Sequence, residues 1–165
     1  TGMTAFKFAK KHLFDPIGIK NVRWDKDREG YTATAWGLYT TVREFGKLGF
    51  LFLNKGKWDD KQIVSEAWVE KATKTDRSVR MWAAYGYLWH VNLPYRLSSS
   101  FSKSAISSDV LPADSYMAEG VNGQNIFIFP SQDLVVVKVA NQKRAHIDEV
   151  KLLSMILDAD KSSLK

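Results

Sequence analysis

Apolar residues recur at helical spacing in the first half of the chain and crowd into strand-like runs in its last third. Phe6, Ala9 and Leu13 share one helical face, and Thr4 stands where a hydroxyl caps a first turn, so a helix is predicted from Ala5 to about Leu13. Pro16 disfavours helical backbone at Asp15 and should end it there. Residues 21–36 show no period. Thr41-Val42-Arg43-Glu44 is a capping box, and it opens a helix whose Phe45, Leu48 and Phe52 fall on one face. The stretch "NKGKWDDKQIV" reads as a turn with a short extended piece, and Ser65 caps a further helix to about Lys74. "YGYLWHV" is predicted as a strand, and "NLPYRLSSSFSKSAISSDVLPAD" as a long polar surface loop.

The last third carries the densest strand signal. "NIFIF" and "LVVVKVA" are rich in β-branched and aromatic residues, and "PSQD" between them fits a hairpin. Leu134 to Val137 do not alternate with polar residues, which predicts cover on both faces of that strand. Ile147 to Leu157 form an apolar-rich helix suited to one of those faces. Together these elements predict an α+β fold. Its antiparallel sheet runs Tyr85–Val91 or Tyr116–Glu119, then Asn125–Phe129, then Leu134–Ala140, packed with a C-terminal helix and accompanied by N-terminal helices. A chain of 165 residues is expected to be a single domain, mainly helical over 1–80, with the sheet and last helix over 81–165.

Composition narrows the function classes. Hydrophobic residues make up 45% of the chain and aromatics 13%, which excludes a disordered segment. There is no cysteine, hence no disulfide, thiol nucleophile or Cys-based zinc site. His12, His90 and His146 lie far apart without metal-ligand spacing, so no metal and no cofactor is expected. The net charge of +6 comes from lysines and arginines scattered along the chain, not gathered into the stripe of a nucleic-acid reader, and no nucleic-acid partner is expected. No apolar run is long enough to predict a membrane span, and "TGMTAFKFAKKHLF" does not read as a signal peptide. The chain does not begin with Met, as expected of a mature product or a fragment.

Four blocks in order carry a family resemblance: "FAKKHLFDPIGIK", "WGLYTTVREFGKLGFLFLNKGKWDDKQIVSEAWVEKAT", "YGYLWHV" and "AEGVNGQNIFIFPSQDLVVVKVAN". They resemble the C-terminal part of the serine β-lactamase and penicillin-binding-protein-like family, in the branch holding class C β-lactamases, family VIII esterases and 6-aminohexanoate-dimer hydrolases. The resemblance implies a partial β-lactamase/transpeptidase-like fold. It also implies hydrolysis of a small-molecule amide or ester by a serine from a Ser-x-x-Lys pair, with a Tyr-x-Asn motif as second base. Both family motifs lie upstream of the first block, so the nucleophile and base are expected on a segment missing from this chain. No Tyr-x-Asn occurs in it, and Ser100-Phe101-Ser102-Lys103 lies after the third block in a serine-rich loop, which argues for coincidence.

The family's third motif, Lys-Thr-Gly or His-x-Gly, aligns with Ala118-Glu119-Gly120. The resemblance assigns the backbone N–H of Val121 to one half of an oxyanion hole. It places Glu119, Gly120, Asn122, Gly123 and Gln124 at the substrate, with Trp36 and Tyr39 near the cleft. Glycine at 120 would let substrate approach the backbone. Ala118 replaces the family's cation, which weakens recognition of a penicillin carboxylate. The alternative function is a non-catalytic interaction module or relic of the fold. The Leu134–Ala140 strand carries few edge protections, so it is expected to pair with a second copy of the chain or with the missing segment. The family is often periplasmic or extracytoplasmic, and the sequence leaves the compartment open.

Overall fold

The computed structural model describes residues 1–75, 84–93, 106–140 and 147–163. Its centre is a four-stranded antiparallel sheet in the order β5 (His90–Val91), β6 (Tyr116–Gly120), β7 (Gln124–Phe129), β8 (Leu134–Lys138). The β6–β7 register pairs Tyr116 with Ile128 and Gly120 with Gln124, and the β7–β8 register pairs Asn125 with Lys138 and Phe129 with Leu134. A 3₁₀ turn at Pro130–Gln132 closes the second hairpin, with Asp133 left-handed at φ 49°. Asp114 holds that turn from outside, accepting from the Ser131 N–H at 2.8 Å and the Ser131 hydroxyl at 3.0 Å.

Each face of the sheet is covered by one long helix. Helix α2 (Val42–Leu53) lays Phe45, Leu48 and Phe52 against Ile126, Ile128, Val135 and Val137. Helix α4 (Glu149–Ser163) lays Val150, Leu153 and Leu157 against Met117, Phe127, Phe129, Leu134 and Val136. This two-sided cover is why β7 and β8 read as continuous apolar runs: each face meets its own helix. The fold is α+β with an antiparallel sheet, and strand β8 is covered on both faces as its sequence predicts.

The N-terminal part builds a second cluster. Helix α1 (Ala5–Ala9) is capped by Thr4, whose hydroxyl accepts from the Lys7 N–H at 3.3 Å. It continues as a π-helical turn over Lys10–Phe14. The helical stretch ends at Phe14, ahead of Pro16 as expected, but Asp15 at its cap stays in the right-handed helical region at φ −62° and ψ −46°. Its N–H bonds the Lys10 carbonyl at 2.9 Å and its carboxylate pairs with Lys10, and these contacts outweigh the proline's preference. Phe6, Ala9 and Leu13 then pack on Phe14, Ile17, Ile19 and Leu51, with a two-stranded ribbon, β1 (Arg23–Trp24) and β2 (Leu38–Tyr39), alongside. A second ribbon, β3 (Lys57–Trp58) and β4 (Lys61–Gln62), leads into α3 (Glu66–Ala72), capped by Ser65. Leu48 of α2 touches both this cluster and the sheet cluster.

Two further expectations change. Of "YGYLWHV", only His90–Val91 is strand, with Tyr85 held to His90 by an isolated bridge. Gly86 lies so close to the carbonyls of Ala72 and Lys74 that a Cβ there would collide, and Leu88 is left-handed at φ 66°, so the segment folds back on itself. The end of the predicted surface loop is core: Ile106 and Leu111 are buried under α4, and Asn92 anchors the segment by donating to the carbonyls of Leu111 and Pro112 and accepting from the Ser108 N–H. The apolar pair buries surface that a serine-rich average conceals.

Candidate functional site

The β6–β7 turn is built by two left-handed residues. The Gly123 N–H donates to the Gly120 carbonyl at 3.3 Å, and Asn122, at φ 65°, occupies the turn position that demands positive φ. Gly123 is left-handed too, at φ 85°. Gly120 itself has no unusual φ, and a Cβ there would sit 3.1 Å from the Gln124 Cβ across the hairpin. Val121 at the turn's second position is 84% exposed.

Beside this turn lies a cavity of about 150 Å³, open to the outside. It is lined by Ala118–Gly120 of β6, Gln124–Ile126 of β7, Lys138 and Val139 at the end of β8, and Phe45 from the first turn of α2. The Gln124 amide donates to the Ala140 carbonyl and ties the end of β8 to the turn. Lys138 pairs with Glu149 at the start of α4. Three of the residues expected at substrate, Glu119, Gly120 and Gln124, are thereby brought together. Asn122 and Gly123 shape the turn without lining the cavity. Trp36 and Tyr39 lie on the β1–β2 side and do not line it either: Tyr39 packs under Arg23 at 4.1 Å, and the Trp36 carbonyl accepts from the Trp24 indole at 3.0 Å.

Sequence reasoning missed His90 as a neighbour of this site. Register puts it opposite Met117, and its Nε2 lies 3.6 Å from the Glu119 carboxylate, with the Tyr85 ring edge-on at 4.6 Å. Burial pushes the His90 pKa below its ordinary value, against a smaller upward pull from Glu119. Burial raises the Tyr85 phenol, and Glu119 adds to that. The missed signal is a pairing one: strand β5 meets β6 only at His90–Val91, which no local pattern announces.

Glu44 holds the base of α2. Its carboxylate accepts from the N–H groups of Lys20 and Asn21 at 2.8 and 3.0 Å and from the hydroxyls of Thr40 and Thr41 at 2.8 and 3.2 Å. The two backbone donors, with the hydroxyls, lower its pKa to about 2 against the opposing effect of desolvation. The predicted capping box is therefore half made: the Thr41 hydroxyl accepts from the Glu44 N–H, but the glutamate arm reaches across to residues 20–21 instead of returning to Thr41's own N–H.

Ser100 and Lys103 fall outside the described residues, as does His146. A second Ser-x-x-Lys, Ser162 to Lys165, spans the end of α4, and Lys165 also falls outside them. Among the described residues no group of three or more His, Asp or Glu side chains could hold a metal ion. No helix among them is long and apolar enough to cross a membrane.

This α+β fold recurs among solved structures. A 6-aminohexanoate-dimer hydrolase of Bacillus anthracis, so assigned provisionally, superposes with a TM-score of 0.72 at 18% identity over 97% of this chain. A β-lactamase from Mycobacterium bovis gives 0.64 at 17% over 98%. A Bacteroides dorei protein provisionally assigned as a β-lactamase gives 0.56 at 12% over 93%. This chain spans 39%, 57% and 49% of those three chains, respectively. No curated protein matches it in sequence. Residues 1–160 match the β-lactamase family, and the chain belongs to that family.

Proposed function

We propose that this chain is the C-terminal, substrate-lining portion of a β-lactamase-related serine hydrolase acting on a small amide or ester. Its nucleophile and general base would lie on a segment outside the chain. The observation that carries the reading is the Gly120–Gly123 turn beside the Phe45–Ile126 cavity, where the sequence resemblance would set an oxyanion N–H. Val121, exposed at the second position of the turn, would donate that N–H, with Glu119, Gly120 and Gln124 lining the approach. An oxyanion donor acts by stabilising charge that develops in the transition state, and its loss costs about 10²–10³ in turnover.

The test is Val121→Pro in the natural gene product, whose intact mass would also show whether a further segment accompanies this chain. Proline suits the second position of such a turn and removes the N–H, together with the exposed isopropyl group. Turnover of nitrocefin or p-nitrophenyl esters should fall by about 10²–10³ with thermal stability retained; unchanged turnover refutes the assignment. The chain alone should be inactive.

A non-catalytic interaction module is the second reading, favoured by Ala118 in the cation position of the family motif. An inactive natural product of this chain's own mass would establish it. Leu48's membership of both clusters supports treating residues 1–165 as one unit. The β8 edge, without a strand partner among the described residues, would pair with the missing segment or a second copy, and sedimentation should show a dimer when the segment is absent.

A further inference from the structure

Strand β5 gives the sheet only two residues, and one of them is ionisable. Register sets His90 opposite Met117, on the face that Glu119 shares two residues further along β6. The imidazole Nε2 stands 3.6 Å from the Glu119 carboxylate, beyond hydrogen-bond length. The Tyr85 ring meets the same imidazole edge-on at 4.6 Å. On the α3 side, Lys71 lies over the Tyr87 ring at 5.2 Å and Lys74 pairs with Glu70 at 3.5 Å. Lys138 and Glu149 pair on β8 and α4, at the other edge of the sheet. Among these described charges Glu119 is the one that acts on the imidazole: burial holds His90 below its ordinary value of 6.5, and Glu119 pulls the other way. His90 is therefore neutral near pH 7 and gains its charge in mild acid, where carboxylates ordinarily keep theirs down to about pH 4.

Protonation turns that gap into a bond. An imidazolium–carboxylate hydrogen bond closes to about 2.8 Å, so the two groups approach by about 0.8 Å. Glu119 immediately precedes Gly120, and the turn beyond it is loosely closed, with the Gly123 N–H reaching the Gly120 carbonyl only at 3.3 Å. Val121 and Asn122 at its tip are exposed. A turn held this lightly yields to a pull at its base more readily than a packed strand does. We propose that His90 is a positioning residue: its protonation draws Glu119 toward β5 and resets the Gly120–Gly123 turn, so the loop's geometry follows pH. The movement of the turn stands apart from the hydrolase reading; only its consequence for turnover, a Val121 N–H re-aimed in mild acid, rests on that reading. The coupling is reciprocal, so the factor by which Glu119 favours the proton on His90 is the factor by which that proton holds Glu119.

Magnetic resonance of the isotope-labelled protein, titrated from about pH 8 to about pH 5, tests this. The imidazole signal of His90 is assigned by its loss in His90→Gln, and His12, stacked on Phe8, serves as an internal reference. The amides of Gly120, Val121 and Gly123 should shift with the His90 midpoint, and His90→Gln should abolish that response. In Glu119→Gln the imidazole still titrates, binding its proton about threefold more weakly, but the response of the turn should be largely lost. Tyr85→Phe keeps a ring against His90 and should leave the response in place; its loss there would move the coupling to the phenol and overturn the proposal. Turn amides that ignore the His90 midpoint, or follow it equally in Glu119→Gln, would overturn it as well. The hydrolase reading fails separately, through the Val121→Pro turnover assay.

Discussion

Helix α2 approaches the sheet at a glycine, and adding one methyl group there should be felt strongly. A Cβ built on Gly49 would lie 2.5 Å from Val135 Cγ1 and 2.8 Å from Ile126 Cγ2. Both neighbours are β-branched and stiff about χ1, so neither can swing away cheaply. Either the helix lifts or the strands shift, and overpacking of this kind costs about 1–3 kcal/mol. Gly46, one turn earlier on the same helix, is the matched control: its added Cβ would meet nothing closer than Val137 Cγ2 at 3.9 Å. Replacing glycine by alanine inside a helix gains about 1 kcal/mol of propensity at either position. Gly46→Ala should therefore stabilise by about that amount, and the two variants should differ by about 1–3 kcal/mol, since propensity cancels between them. Urea unfolding followed by circular dichroism measures the difference. Equal midpoints for Gly46→Ala and Gly49→Ala would show that α2 does not sit this close to β7 and β8.

Glu44 has a folded pKa of about 2 against an ordinary value of 4.5, so the stability it contributes is present above about pH 4.5 and is lost as pH falls toward about 2. Glu44→Gln should flatten the decline in melting temperature over that window; parallel profiles for the variant and the unaltered chain would refute the role. Asn125 is 3% exposed, and neither atom of its side-chain amide has a hydrogen-bond partner among the described residues. An apolar residue of similar size removes that desolvation cost, so Asn125→Leu should raise the urea midpoint, by about 1 kcal/mol in stability. A fall would reveal a partner for the amide.

Strands β7 and β8 were legible because a strand buried on both faces must be apolar throughout, as Ile126 to Phe129 and Leu134 to Val137 are. Helix starts were legible because Thr4, Thr41 and Ser65 act within three residues of themselves. The features that stayed hidden depend on distant partners. The Glu44 arm finds N–H groups more than twenty residues away. Gly86 is confined by the carbonyls of Ala72 and Lys74, which breaks a segment that its aromatics mark as strand. The site shows the same division. The turn residues Gly120, Asn122 and Gly123 announce themselves, whereas the cavity needs Phe45 and Lys138, and His90 reaches Glu119 only through the β5–β6 register.

The meander from β6 to β8 has a bearing on how the molecule assembles. Its strands succeed one another through two short turns, so their pairing closes small loops, and α4 comes next in the chain to cover one face. Helix α2 meets the same sheet across about eighty residues, a much larger closure in entropy. Rates should separate accordingly. Changes at Asp133 in the tight β7–β8 turn should slow refolding, while Gly49→Ala should chiefly hasten unfolding. A chevron in which Gly49→Ala slowed refolding instead would place α2 in the nucleus and reverse the order of events.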